Sequence, residues 1–357
     1  MMRPAQNSRS PLLPKFDIKT DRRMDPRIRT MLALFPDPEM RDVDSREALL
    51  ADQATPESQE ARKAFETFAA MCDTEEISPS SGLRIETLEF TSQPDGNQIK
   101  IQFIRPDDDA VVPCVYYIHG GGMMMMSCFD GNYRAWGRMM AQQRVAVAMV
   151  DFRNSVLPSS APEVAPFPAG LNDCVSGLSW VAEQHQSLGI DPARIIVAGE
   201  SGGGNLTLAT GMRLLEDGNT ALIAGLYALC PYIAGIWPLP ENPSSTENNG
   251  ILLDLHNNQG AMSYGIEELE KRNPLAWPGF AKAEDLKGLP PTVISVNECD
   301  PLRDEGIAFY RLLLEAGVPA QCRQLMGTAH GSDTMPILCP EISRETARSI
   351  ADFCRGA

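Results

Sequence analysis

Apolar residues are arranged in two different ways along this chain, and the change falls near residue 80. Up to about residue 78 the sequence is rich in charge, with helical spacing of apolar positions over 45–50 and 61–71 and proline-containing turns between them. Nothing there alternates as a strand. From residue 83, LRIETLEF alternates between apolar and polar, PDG supplies a turn, and NQIKIQFIRP alternates again, which predicts a β-hairpin. Short, mostly apolar runs follow: CVYYIH (114–119), VAVAMVDF (145–152), RIIVAG (194–199), IAGLYALC (223–230), TVISVNE (292–298) and AQCRQLM (320–326). Helical patterns lie between them.

A strand covered on both faces has no side that meets water, so unbroken apolar runs separated by helices predict a mostly parallel sheet inside helices. The fold class is α/β, and with the hairpin the count is eight strands. Residues 232–290 break the rhythm: they are rich in Pro and Asn and too long for a simple crossover. The expected organisation is an N-terminal helical segment over 1–78, a first part of the core over 79–231, an insertion over 232–290 and a second part of the core over 291–357. The helical segment and the insertion are expected to form a cap over the carboxyl edge of the sheet, where open α/β sheets bind ligands.

The chemistry is concentrated where apolar runs end. RIIVAG leads directly into Gly199-Glu200-Ser201-Gly202-Gly203, followed by a helical pattern, which is G-x-S-x-G in its strand–turn–helix setting. The turn is so sharp that side chains two places either side of the serine would collide with backbone. Ser201 is then presented at a helix start, where unpaired amides favour an oxyanion. CVYYIH ends in Gly120-Gly121-Gly122, a glycine run that lets backbone amides approach a developing negative charge. A phosphate cradle is the rival reading, but the Lys-Ser/Thr ending of a P-loop is missing.

The base follows by elimination among four histidines. His119 belongs to the glycine loop, where it is expected to position the loop through backbone bonds; His185 lies in the helical stretch before the nucleophile strand, and His256 lies in the insertion. His330, in GTAHGS after the last strand, remains, and it completes the chain order serine, acid, histidine. The acid comes from TVISVNECDPLRDEG, where Asp300 sits just past the strand and Glu298 is the alternative. Asp304 and Glu305 fall in the first turn of the next helix, where acidic residues complement the dipole. Such a set would let His330 take the Ser201 proton as the hydroxyl attacks an acyl carbonyl, with Asp300 fixing the imidazole.

Composition narrows the partners to a small-molecule substrate. The net charge is −16, which repels nucleic acid and anionic membrane surfaces. No secretory signal is visible at the start, and the longest uncharged run, 221–240, is broken by Gly225, Pro231 and Gly235, so a cytoplasmic protein without a membrane span is expected. Nine cysteines without a C-x-x-C pair read as reduced, buried thiols, and no metal site is indicated. The sequence sets no oligomeric state, and a homo-oligomer is compatible with it.

Taken together, HGGGM (119–123), GESGGGNL (199–206), CPYI (230–233), NPLAWPGFA (273–281), LKGLPP (286–291), VNECDPLRDEGIAF (296–309) and AHG (329–331) resemble the hormone-sensitive lipase family, above all its bacterial branch of brefeldin A esterase type. The likeness covers most of residues 83–335. It implies a capped α/β-hydrolase fold without metal or organic cofactor, acting on carboxylic esters of short acyl chain, with lactones included. It further implies that the amides of Gly121, Gly122 and Gly202 form the oxyanion hole. Two positions depart from the family habit: Glu200 stands where Asp is common, and Gly202 where Ala is common. Four methionines, 123–126, replace the usual aromatic after the glycines; Met123, Met124 and Glu200 are the expected substrate-pocket residues, although at least two of the methionines are expected to pack the core and Glu200 to bond toward solvent or cap. A non-catalytic receptor on the same scaffold and an amidase or peptidase are the other functions compatible with the pattern.

Overall fold

A computed structural model describes residues 18–35 and 39–356. The expectations for residues 1–17, 36–38 and 357 lie outside these. The sheet has eight strands: β1 (Leu83–Thr91), β2 (Gln98–Pro106), β3 (Val112–Ile118), β4 (Ala146–Val150), β5 (Ile190–Glu200), β6 (Gly225–Leu229), β7 (Thr292–Cys299) and β8 (Ala320–Ala329). Their spatial order is β1-β2-β4-β3-β5-β6-β7-β8. β2 runs antiparallel to β1 and β4, and every other pairing is parallel. The eight-stranded, mostly parallel α/β sheet inferred from the apolar runs is therefore the fold.

β3 shows why those runs are unbroken. All seven of its residues are buried. Cys114, Tyr116 and Ile118 join a cluster with Leu171, Cys174 and Leu178 of helix Ala169–Glu183 and Leu206 of helix Gly202–Glu216. Val115 and Tyr117 point the other way, into a cluster with Tyr133, Trp136 and Met140 of helix Gly131–Ala141 and Ala347 and Ile350 of helix Pro340–Gly356. Each such aliphatic or aromatic side chain stabilises the fold by roughly 1.5–3 kcal/mol relative to exposure, so one polar replacement in β3 forfeits that and strands a polar group as well.

Strand ends differ from the sequence reading in ways that matter for the site. β5 starts at Ile190 rather than 194, because Ile190 pairs with Val112 before a register shift. β8 continues past residue 326 to Ala329 through a shift opposite Asn297 that brings Ala329 against Cys299. Such bulges re-aim a strand without ending it. The consequence is that residues 300 and 330 leave the sheet side by side.

Before β1, the described residues contain helices Pro26–Leu32, Arg46–Gln53 and Pro56–Ala70 and no strand. Each begins with a side-chain cap, from Asp25, Ser45 and Thr55, and two carry proline in the first turn, where its missing N–H costs nothing. Residues 232–290 form short helices, Ser244–Glu247, Gln259–Tyr264, Ile266–Glu270 and Ala283–Leu286, without a strand. The two segments touch: Val43 N–H donates to Asn258 Oδ1 (2.8 Å), and Asn258 N–H donates to Asp42 (2.9 Å). Ile28 and Leu32 pack with Ile251 and with Cys299 and Ala329 at the carboxyl ends of β7 and β8. Among the described residues, no helix is long and apolar enough to cross a membrane.

Candidate active site

β5 delivers its last residue, Glu200, and the chain reverses into helix Gly202–Glu216 with Ser201 between them. Ser201 has φ 57°, a left-handed conformation that costs a non-glycine residue of order 1–3 kcal/mol and persists only when its surroundings impose it. They do so through the backbone: Ser201 N–H donates to the Leu229 carbonyl (2.9 Å), and the Ser201 carbonyl accepts from Tyr232 N–H (3.1 Å) and Asn205 N–H (3.0 Å). The turn needs glycine at 203, where a Cβ would lie 2.0 Å from the Ile118 carbonyl oxygen.

His330 Nε2 is 2.9 Å from Ser201 Oγ, and His330 Nδ1 is 2.8 Å from Asp300 Oδ2. The buried carboxylate has only acceptors to offer, so Nδ1 carries the proton and Nε2 accepts from the serine. Asp300 is 0 % exposed; its other oxygen accepts from Leu302 N–H (2.8 Å), which fixes the carboxylate plane. Burial works against a charged imidazole, but Asp300 and the Cys230 thiol together outweigh it and hold His330 well above the usual histidine range. Glu298, the alternative acid, is turned away and accepts from Gly327 N–H (2.7 Å). Cys230, with φ 33°, packs its thiol against this pair, and the ligand atoms of Cys230, Asp300 and His330 lie within 4.8 Å of one another. These three are the group among the described residues able to hold a metal ion. Both imidazole nitrogens are already engaged in bonds that a metal would break.

The glycine loop closes over the serine. Gly121 (φ 90°) and Gly122 (φ 63°) adopt conformations that disfavour any side chain, and a Cβ on Gly121 would meet the Met125 carbonyl oxygen at 2.2 Å. A Cβ on Gly202 would lie 2.8 Å from Gly122 N, so the backbones at 122 and 202 face each other beside Ser201. Among the described residues, no hydrogen bond takes the N–H of Gly121, Gly122 or Gly202. His119 stacks on Phe152 (4.3 Å between centroids), and its Nδ1 lies 3.0 Å from the Gly120 carbonyl. His119 thus bonds the glycine loop it belongs to, and burial lowers its pKa. His185 bonds the Ala182 carbonyl and His256 the Ser245 carbonyl, both away from the serine.

Two pocket expectations need correction. Met123 is 1 % exposed and belongs to the main apolar core, because its left-handed backbone (φ 60°) turns the side chain inward. Met124 is half-buried, with Sδ 3.7 Å from the Cβ position of Gly122, and stays beside the loop. Glu200 faces neither solvent nor cap. It is 4 % exposed on the opposite side of the sheet, where Oε1 accepts from Gly120 N–H (2.8 Å) and the Tyr133 hydroxyl, and Oε2 from the Tyr117 hydroxyl. The signal was present: along β5, Ile196 and Ala198 face the Tyr117 side, and strand alternation puts Glu200 there too. Glu305, expected as a dipole partner, is instead buried and accepts from Ile233 N–H (2.8 Å), Ala234 N–H (3.2 Å) and Trp237 Nε1–H (2.7 Å), pinning the start of the insertion. No local pattern in the sequence reveals that long-range role.

Comparison with known proteins agrees with this fold. The profile of the alpha/beta hydrolase fold family matches residues 115–333. Esterase LipI of Mycobacterium tuberculosis is 32% identical over 246 residues, covering 68% of this chain and 72% of the relative. The structure of esterase Est22 with p-nitrophenol superposes with a TM-score of 0.94 at 64% identity, over 96% of this chain and 100% of that one. Brefeldin A esterase, a bacterial homologue of human hormone-sensitive lipase, gives 0.83 at 34% identity, over 94% of each chain. On fold, motifs and relatives, the chain belongs to the α/β-hydrolase fold family, among the relatives of hormone-sensitive lipase.

Proposed function

We propose that this protein is a serine carboxylesterase in which Ser201 attacks the ester carbonyl, His330 moves the proton and Asp300 orients and stabilises the imidazole. The observation that carries it is the unbroken line from Ser201 Oγ through His330 to Asp300 at 2.9 and 2.8 Å. As Oγ bonds to the acyl carbon, its proton passes to Nε2 and the carbonyl electrons move onto oxygen. The resulting oxyanion meets the amides of Gly121, Gly122 and Gly202, which cost no reorganisation when charge develops. Collapse expels the alcohol, which takes the proton from Nε2, and leaves an acyl-Ser201 ester. Water then attacks, giving up its proton to His330 Nε2, and collapse breaks the bond to Oγ, which takes that proton back as the acid is released.

The names of the relatives support the ester class, and the p-nitrophenol held by Est22 supports a site that accepts an aryl leaving group. We read the described residues of 1–78, together with 232–290, as the cap, on the contacts between them and at the carboxyl ends of β7 and β8, and the other described residues as the two parts of the core. A cap limits pocket depth, so short acyl chains are the proposed substrates, with lactones among the esters accepted. The nine unpaired cysteines and the charge of −16 support a reducing, cytoplasmic setting and a small-molecule partner rather than nucleic acid.

A series of p-nitrophenyl esters from acetate to palmitate, with lactones alongside, tests this. Activity should peak at or below about C6, the length a capped pocket of ordinary depth admits. It should vanish in Ser201→Ala. A maximum at palmitate would remove the cap reading, and full activity in Ser201→Ala would remove the mechanism.

A further inference from the structure

We propose that Glu200 is a positioning residue for the reaction: as an anion it ties the Gly120–Gly122 loop to the turn that carries Ser201, and so sets the distance between nucleophile and oxyanion donors. This rests on the esterase reading above. Glu200 is covalently next to Ser201, and its Oε1 holds Gly120 N–H at 2.8 Å, one residue before the donor glycines. The fit is close. A Cβ on Gly120 would stand 2.6 Å from that same oxygen, so the loop reaches the carboxylate only because residue 120 is glycine.

Every group that meets the carboxylate is a donor. β3 supplies the Tyr117 hydroxyl, helix Gly131–Ala141 supplies the Tyr133 hydroxyl, and the loop supplies the Gly120 amide. Burial holds both phenols well above the ordinary tyrosine range, so they remain donors throughout the working pH. Behind them stand Trp136, edge-on to Tyr117, the His119 ring, 5.6 Å from Tyr133, and Asp130, whose charge bears on Tyr133. Among the described residues no cation pairs with Glu200. The carboxylate is therefore held by neutral donors alone, and burial pushes its pKa up to about 7 against the pull of the three bonds. When a proton arrives, one of the donors must turn away, and the bond to Gly120 changes from charge-assisted to neutral, which weakens it.

Such a brace has a distinct kinetic signature. It does not touch substrate, so KM should hardly respond; it sets where the oxyanion donors stand, so kcat should. In Glu200→Gln we expect kcat to fall by ~10–100-fold, the order of loss that a misplacement of about 1 Å produces. KM should stay within about threefold, and affinity for a trifluoromethyl ketone, which mimics the tetrahedral adduct, should fall in parallel with kcat. Wild-type kcat/KM should drop on the acid side as the product of two ionisations, those of His330 and Glu200, and the Gln variant should retain one. Glu200→Asp should recover part of the rate and restore the second ionisation.

Tyr117→Phe, measured the same way, should weaken kcat less and in the same direction, and it decides the matter if Glu200→Gln does not fold, because the Tyr117 hydroxyl bonds Glu200 while that of Tyr133 also accepts from Gly120 N–H (2.9 Å). Ser201→Ala, assayed in parallel, separates the two claims. If it is inactive while Glu200→Gln, or Tyr117→Phe in its place, keeps wild-type kcat, ketone affinity and pH profile, the positioning role is wrong and the esterase reading stands. A loss confined to KM, with ketone affinity tracking KM rather than kcat, would equally overturn it. If Ser201→Ala keeps full activity, both claims fall together.

Discussion

Asp300 Oδ2 and His330 Nδ1 lie 2.8 Å apart because β7 and β8 end side by side, Cys299 paired with Ala329 across a register shift. The shift is what lets β8 run on beyond its apolar stretch, so that the first residue after each strand meets the other. Neither strand alone positions the pair.

The charge on Asp300 has a measurable effect on the pH at which the enzyme works. In the proposed mechanism His330 must be neutral to accept the serine proton, and its pKa in the folded protein is raised. The neutral fraction is thus lost as pH falls through a value above that of free histidine, so kcat/KM should decline on the acid side from a point higher than 6.5. Asp300→Asn should move that limb to lower pH and reduce the plateau by about 10⁴-fold, the loss seen when a triad carboxylate is neutralised. A pH–rate series for both proteins checks it.

Gly203→Ala should be among the most damaging single changes. The added methyl would sit 2.0 Å from the Ile118 carbonyl oxygen and 2.6 Å from that of His119, both backbone atoms of β3 and its continuation. Nothing flexible can yield, so β3 and the helix must separate, at roughly 3 kcal/mol or more. Urea denaturation should show the loss, and a midpoint equal to wild type would contradict the packing described here.

Glu305 anchors the insertion and makes stability depend on pH. Burial raises its carboxyl to about 8, against 4.5 for an unperturbed glutamate, and Glu200 is raised to about 7 by the same cause. Between 4.5 and about 8 the folded protein therefore binds more protons than the unfolded chain, and stability should fall as pH rises through that window. Glu305→Gln should flatten the slope. It should also lower stability by about 1–3 kcal/mol, because either amide orientation leaves a donor facing Trp237 Nε1–H or the amides of 233 and 234. Denaturation midpoints taken across pH 5 to about 8 would reveal both effects.

How much of this was legible beforehand depends on the range of the interaction involved. Ser201 and His330 could be found because their surroundings are local: a strand, a sharp glycine turn and a helix in one case, a loop after the last apolar run in the other. The eight strands could be counted because burial on both faces leaves a mark on every residue, as in β3. Strand ends could not, since the final residues of β8 pair only because of the shift opposite Asn297. The direction of Met123 depends on a positive φ that no side-chain pattern announces. The place of Glu200 follows from strand parity, which puts it beside Ile196, Ala198 and Tyr117, and not from its neighbour Ser201.

In the proposed reaction Ser201 is the nucleophile and becomes covalently acylated. Treating the folded protein with a fluorophosphonate and mapping the adduct by mass spectrometry tests this directly, because the reagent needs both an activated hydroxyl and donors for its phosphoryl oxygen. The account predicts one adduct, on Ser201, formed in step with loss of esterase activity and absent from Ser201→Ala. Labelling of a different residue with activity lost in parallel, or full inactivation without an adduct on Ser201, would contradict it.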